Sequence, residues 1–269
     1  METPNPAGKM GGAVREPELR RFWLRQNQLS VGSEILIEGE EYKHICIVCR
    51  MQEGAKFEVL NSDGQAFFSE LVSVGKKSAV IHLTEVRDLP QQRKPWLNLC
   101  ISVPKFSTFE TILEKSVELG VKTITPMLSD YSFIKSASKI SSTKWQRWQK
   151  IIISATRQTG RGDLMQLRSV DSLEQILKKF NLDPQAMGLF PYEGRSAQTI
   201  AQALERLNSH EFSEIWCFIG SEGGFSEKEV ELFGENGLKP ATLGEQVLRV
   251  ETACLALSSI IKYHAGQLS

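Results

Sequence analysis

The sequence predicts an α/β chain in two parts: a small β-barrel, then a mostly parallel sheet covered by helices. Three observations lead there. Short β-rich runs broken by turn residues fill residues 20–88. Leu89 to Pro95 is polar, basic and bracketed by prolines, so it reads as a linker. Beyond it, apolar strand patterns alternate with amphipathic helical ones, which implies a parallel sheet with both faces buried.

The elements follow in order. Met1 to Glu18 is rich in Gly, Pro and charge and lacks the apolar core of a signal peptide. It is expected to be a disordered cytoplasmic tail or a start-site artefact. Residues 19–90 are assigned to the barrel and 95–269 to the second domain. Val31 to Glu38, Phe57 to Leu60, Phe67 to Val74 and Ser78 to Val86 are the barrel strands. Asn61-Ser62-Asp63-Gly64 and Gly75-Lys76-Lys77 are its turns. Trp96 to Val103 is a buried strand. Ser107 or Thr108 is then placed to cap a helix carrying Phe109, Ile112, Leu113 and Val117 and ending at Gly120. Val121 to Leu128 is the next strand. Trp145, Trp148, Ile152 and Ala155 line a helix that stops near Gly160. A helix follows Ser172, with Leu173, Ile176, Leu177 and Phe180 facing inward. Ala186 to Phe190 is a strand, and Ile200, Ala203, Leu204 and Leu207 mark another helix. Glu214 to Ile219 is a strand, Ser226 and Glu229 form a capping-box pattern, and Glu251 to His264 is the last helix.

Bulk composition narrows the function. The chain has 269 residues, 41% hydrophobic and 24% charged, and no apolar run long enough to span a bilayer. Its 32 basic and 32 acidic residues weigh against coating nucleic acid by charge alone. A local basic patch stays open, because net charge says nothing about distribution. Five cysteines without a secretion signal argue for reduced thiols. Cys46 and Cys49 form a lone CxxC, for which core packing outweighs a zinc or redox role, since no second ligand pair is placed. His44, His82, His210 and His264 do not cluster with acids or thiols at ligand spacing, so no metal is expected.

Two glycine-punctuated loops carry the chemistry. One reads Ile219-Gly220-Ser221-Glu222-Gly223-Gly224-Phe225-Ser226; the other runs from Leu243-Gly244 through Gln246-Val247-Leu248-Arg249-Val250-Glu251-Thr252-Ala253. Each lies between an apolar run and a helical pattern, where glycine lets bare backbone approach a ligand. In parallel sheets ligands bind at the carboxyl ends of strands, and both loops sit there. There is no Walker lysine and no G-x-G-x-x-G, so phosphate or dinucleotide binding is poorly supported. Glu222 is read as a ligand contact, an acceptor of backbone donors, or a carboxylate in solvent.

The pair of loops resembles the ribosomal RNA methyltransferases that modify N3 of a uridine in 16S rRNA, members of the SPOUT superfamily. Those loops usually read Gly-Pro-Glu-Gly-Gly-Phe-Ser and Leu-Gly-x-x-Ile-Leu-Arg-Thr-Glu-Thr-Ala. Here Ser221, Val247 and Val250 replace the Pro, the Ile and the Thr before Glu. Arg20-Arg21-Phe22 resembles the start of the family's N-terminal domain, and His44 to Met51 the segment that closes its barrel. Arg157-Gln158-Thr159-Gly160-Arg161 stands where the family has Glu-Gln-Ser-Gly-Arg. Pro104-Lys105 matches, but Phe106-Ser107-Thr108-Phe109-Glu110 replaces Gly-Asp-Arg-Met-Glu.

The resemblance implies an N-terminal PUA-like RNA-binding barrel and a C-terminal SPOUT α/β domain with a trefoil knot. It implies S-adenosyl-L-methionine as cofactor, 16S rRNA within the small ribosomal subunit as substrate, a homodimer and a cytoplasmic location. The cofactor residues it implies are Leu189, Phe190 and Pro191; Ile219, Gly220, Glu222, Gly223 and Gly224; and Leu243, Gly244, Gln246, Val247, Leu248, Arg249, Thr252 and Ala253. Arg249 is the candidate to stabilise a developing uracil anion, with a salt bridge to Glu251 or a neighbouring subunit as its other reading. Glu251 and Glu222 are candidate proton acceptors. Arg20, Arg21, Arg50, Lys105 and Arg161 are candidate RNA contacts. A catalytically inactive RNA- or cofactor-binding relative of the same fold is the alternative that the departures raise.

Overall fold

The computed structural model describes residues 19–24, 29–61, 64–194, 198–208 and 212–268. The expected tail at 1–18, the turn residues Ser62 and Asp63, and His210 lie outside the described residues. Contacts divide the chain into two units, one holding Gln28–Val59 and Phe67–Val86, the other Leu60–Ala66 and Arg87–Ser269.

The N-terminal unit is built mainly from β1 (Arg21–Trp23), β2 (Glu34–Glu38), α1 (Gly39–Tyr42), β3 (Lys56–Leu60), β4 (Gln65–Val74) and β5 (Ser78–Asp88), whose ends at Leu60, Gln65–Ala66 and Arg87–Asp88 belong to the other unit. The strands form one sheet in the order β1-β3-β4-β5-β2, with β2 and β5 antiparallel. Alternation sets its core: Phe57 and Val59, Ala79, Ile81 and Leu83 turn inward onto Phe22, Ile37 and Leu71. β2 is shorter than the predicted strand because Ser30 to Ser33 form a turn, with Ser33 Oγ donating to the Ser30 carbonyl. The run from His44 to Met51 is helical only as far as Val48: α1 continues into a π-helix over Lys43–Val48, of which Ile45 alone is buried, and Cys49 to Met51 leave it.

The C-terminal unit runs β6 (Trp96–Ser102), α2 (Phe106–Glu118), β7 (Thr123–Leu128), α3 (Ser142–Thr159), β8 (Gln166–Leu167), β9 (Asp171–Ser172), α4 (Leu173–Phe180), β10 (Ala186–Pro191), β11 (Gln198–Thr199), α5 (Ile200–Leu204), β12 (Glu214–Ile219), α6 (Glu227–Glu235), β13 (Pro240–Thr242) and α7 (Val250–His264). The sheet order is β11-β13-β10-β12-β6-β7-β8, with β9 beside β7. Its pairs are parallel. Strand alternation divides two cores. Leu97, Leu99, Ile101, Ile215 and Cys217 face α2, α3 and α7, while Cys100, Trp216 and Phe218 face α4 and α6.

Caps follow local sequence. Ser172 and Ser226 close capping boxes with Gln175 and Glu229. Gly160 ends α3 in the left-handed region, at φ 70°. The start of α2 corrects the expectation. Neither Ser107 nor Thr108 caps it; the helix begins at Phe106, with Lys105 at its N-cap and no side-chain cap bond. Aromatic packing accounts for the earlier start. Phe106 and Phe109 both pack on the fully buried Trp148 of α3, with ring centroids 5.8 and 4.6 Å away. No helix among the described residues is long and apolar enough to cross a membrane.

Candidate functional site

Three neighbouring strands, β13, β10 and β12, end at one edge of the sheet. The segments leaving their carboxyl ends enclose a cleft of about 360 Å³. That volume lies within the range of pockets that hold small ligands. Pro191, Tyr192 and Gly194 form one side, and Gly220, Ser221 and Gly223 to Phe225 with Thr242 to Leu248 form the others. Val250 and Ala253, on the first turn of α7, close the base.

The first glycine loop is a tight turn. Gly224 N–H donates to the Ser221 carbonyl at 2.9 Å. A Cβ at Gly220 would stand 2.8 Å from both C and Cα of Gly224. Only a residue without a side chain lets these two backbone stretches meet. The second loop is shaped by Thr242, whose Oγ1 donates to the Gly244 carbonyl at 2.8 Å and accepts from Gly244 N–H at 3.1 Å.

A third segment, residues 129–135 after β7, braces the first loop. Ser221 Oγ donates to the Tyr131 carbonyl at 2.6 Å. Ser226 Oγ donates to Asp130 Oδ2 at 2.6 Å. The buried Glu229 carboxylate accepts from Ser226 N–H through one oxygen and from Asp130 N–H through the other, both at 2.9 Å. Glu222 stays exposed and accepts a long 3.4 Å bond from Lys105 N–H.

Of the expected cofactor residues, Pro191, Ile219, Gly220, Gly223, Gly224, Leu243, Gly244, Gln246, Val247, Leu248 and Ala253 line the cleft. Leu189 and Phe190 do not. Their side chains are buried in the two cores on opposite faces of β10. Lining residues continue forward instead, through Tyr192, Glu193 and Gly194. The rule that ligands sit beyond strand ends would have pointed there. Ser221, Phe225, Thr242, Glu245 and Val250 also line the cleft and were not anticipated. Glu222, Arg249 and Thr252, also expected to bind cofactor, are not among the lining residues.

Arg249 is the N-cap of α7 and is exposed; it forms no ion pair with Glu251 or another described residue. Glu251 lies in the first turn of the same helix. Among the expected RNA contacts, Arg50 and Lys105 are exposed. Arg20 donates to the Cys49 carbonyl at 3.1 Å, and Arg21 pairs with the buried Glu58 at 2.7 Å.

Arg161 differs from its expectation. Its side chain is 8% exposed, it pairs with Asp163 at 3.0 Å, and it donates to the Val117 carbonyl at 3.2 Å. It is an internal cation, not one turned to solvent. Burial acts to raise the pKa of Asp163, but hydrogen bonds and charge from Arg161, with those of Lys122, hold it below the ordinary value.

Two families match this chain. Residues 91–262 match the RNA methyltransferase domain, and residues 37–84 match the RNA methyltransferase PUA domain. The ribosomal RNA small subunit methyltransferase E of Bacillus subtilis is 32% identical over 251 residues, which is 91% of this chain and 96% of that protein. The protein of the same name from Helicobacter pylori strain J99 is 31% identical, over 83% of this chain and 92% of its own length. A crystal structure of ribosomal RNA small subunit methyltransferase E from Neisseria gonorrhoeae, bound to S-adenosyl methionine, superposes with a TM-score of 0.78. It is 26% identical, and the match covers 91% of this chain and 97% of that one.

Proposed function

The chain belongs to the RNA methyltransferase family, and from that premise we propose that it methylates N3 of a uridine in the 16S rRNA of the small ribosomal subunit, with S-adenosyl-L-methionine as donor. One observation carries the reading: a glycine-walled cleft of nucleoside size at the ends of β10, β12 and β13, in a chain that matches this family over most of its length. The cleft suits the cofactor chemically. Leu243, Leu248 and Ile219 offer apolar surface for an adenine, and loop backbone offers hydrogen-bond partners for its edge.

When bound, the cofactor supplies a methyl group already activated by a positive sulfur, so the protein mainly orients the partners. Gly220, Gly223 and Gly224 bring backbone close on one side, and Leu243 to Leu248 close the other. Arg249 stands at the amino end of α7, exposed and without an ion pair among the described residues. Both its charge and the helix dipole favour an anion there. It is assigned to the uracil oxygens as N3 loses its proton. Glu251, in the first turn of α7, is the assigned acceptor of that proton.

The N-terminal unit is read as the PUA-like barrel that holds RNA, with Arg20, Arg21 and Arg50 toward it. Lys105 serves the same substrate from the second domain. The C-terminal unit is read as a SPOUT domain with a trefoil knot. The insertion of β12 between β10 and β6, and the return of α7 onto α2, support that reading. A homodimer through the last helix is supported by Tyr263 and Ile260, which stay exposed there. A cytoplasmic location follows from the substrate.

The test is to incubate the full-length protein with methyl-labelled S-adenosylmethionine and small subunits lacking the modification, then analyse nucleosides by mass. Label in N3-methyluridine is the expected result. Cofactor binding without label would favour a different RNA target or an inactive relative, and neither label nor binding would refute the reading.

A further inference from the structure

We propose that Tyr131 and Phe133 form a stacking platform for unpaired bases of the substrate RNA, beside the cofactor cleft. The proposal deepens the reading above and rests on it only for the identity of the RNA.

Large apolar side chains at these positions need an explanation. Tyr131 is 52% exposed and Phe133 55% exposed. Both rings are carried by a segment that is anchored at many points. Phe133 N–H donates to the Val103 carbonyl at 2.8 Å. Ser132 is buried and its hydroxyl accepts from Ser129 N–H at 3.2 Å, while Ile134 sinks into the core. Ser221, Ser226 and Glu229 hold Tyr131 and Asp130 from the cleft side. Alternation along this tied backbone sends residues 132 and 134 inward and residues 131 and 133 outward. A ring that stability alone required would lie inward with them.

The place of the rings is equally specific. A Cβ at Gly223 would approach Tyr131 Cβ to 2.9 Å and Cγ to 3.1 Å. Tyr131 therefore lies directly on the backbone of a residue that lines the cleft. Phe133 sets its ring edge against Phe106, with centroids 5.6 Å apart at 77°. Lys144 Nζ lies 5.3 Å from the Phe106 ring centroid. Lys105 and Lys135 are exposed on the same segments, Lys135 with its ammonium donating to the Asp130 carbonyl, and Lys139 is exposed in the turn that follows. Acids share this region: Glu110 is paired with Lys144 at 3.2 Å and Arg147 at 2.8 Å, while Asp130 accepts from Ser226 Oγ and Glu222 from Lys105 N–H, both keeping their charge.

Exposed rings interleaved with cations suit single-stranded nucleic acid, whose bases stack on aromatic faces while lysines meet phosphate. A duplex keeps its bases paired and cannot use the rings. A target base must leave its own stack for its N3 to be reached, so its neighbours also need new surfaces to stack on.

The experiment uses the full-length protein, a fluorescent uridine-rich single-stranded RNA, the same sequence as a duplex, and small subunits lacking the modification. Tyr131→Ala with Phe133→Ala is expected to weaken single-strand affinity at least about fivefold. Duplex binding and cofactor affinity should stay within twofold. Tyr131→Phe should keep wild-type affinity, whereas Tyr131→Leu, apolar but without a ring, should not. Unchanged single-strand affinity in the double variant would overturn the proposal, as would equal behaviour of Tyr131→Phe and Tyr131→Leu, or wild-type protein that binds no single strand. Failure of the functional reading is separate. If wild type leaves small subunits unmethylated while the double variant still loses single-strand affinity, the platform stands and the assigned substrate falls.

Discussion

Adding one methyl group at Gly220 should open the cleft wall. The Cβ of Gly220→Ala would meet Gly224 C and Cα at 2.8 Å and Gly224 O at 2.9 Å. All three are backbone atoms, so no side chain can swing aside. Carbon atoms settle near 3.5 Å or more, so the turn must open by roughly 0.7 Å. The turn is closed by its own bond from Gly224 N–H to the Ser221 carbonyl and braced by Ser221 Oγ on Tyr131. Overpacking of this kind costs about 1–3 kcal/mol. For a domain of this size that lowers Tm by roughly 2–4 °C per kcal/mol. Gly220 and Gly224 both line the cleft, so S-adenosylmethionine affinity should fall about tenfold or more, equivalent to roughly 1.4 kcal/mol. Gly234→Ala is the matched control. It lies inside α6 with nothing within 4 Å of the new Cβ, so it should raise stability by about 0.5–1 kcal/mol and leave cofactor binding alone. Titration calorimetry and thermal melts of both variants decide the matter. If Gly220→Ala binds cofactor like wild type and melts like Gly234→Ala, the close-approach reasoning is wrong.

Three further outcomes follow from the same geometry. Arg249→Ala should cut turnover about 100-fold or more with cofactor affinity nearly unchanged, because the guanidinium is assigned to the developing anion; a matched loss in cofactor binding would remove that assignment. Glu229→Ala leaves the N–H groups of Ser226 and Asp130 without their acceptor, and should cost about 2–4 kcal/mol in denaturant unfolding, with Glu229→Gln milder; a change under half a kcal/mol would show that the brace is idle. Lys262 is buried, and desolvation, with the charge of Arg161, lowers its pKa to about 8 against the pull of Asp163. The unfolded chain then holds more protons between pH 8 and about 10.5, so this group's penalty is complete below pH 8 and lifts as pH rises. Lys262→Met should therefore be the more stable protein at pH 7, by roughly 3 kcal/mol at most, with the gap closing above pH 8. A gap that does not change with pH would refute the linkage.

Much of the fold and part of the site could be read from the residues in order, and the reason is local. Period-2 runs such as Leu97, Leu99 and Ile101, and capping boxes at Ser172 and Ser226, are set by atoms a few positions apart. The glycines at 220, 223, 224 and 244 are legible because bare backbone beside a ligand needs glycine. Other features depend on residues far away in the chain. Ser107 and Thr108 looked like caps, but Trp148, some forty positions later, drew Phe106 into the helix. The third wall of the cleft moved forward to Tyr192 because Leu189 and Phe190 were needed in two separate cores. Arg161 looked like a surface cation until Asp163 and the Val117 carbonyl enclosed it. The 129–135 segment carried no motif at all. It became part of the site because parallel strands end on the same side of the sheet, so that the segments after β7 and β12, one strand apart across β6, place Tyr131 against Gly223, some ninety residues on. Local sequence decides which conformation a segment prefers, while burial and shared hydrogen bonds between distant segments decide which faces remain for function.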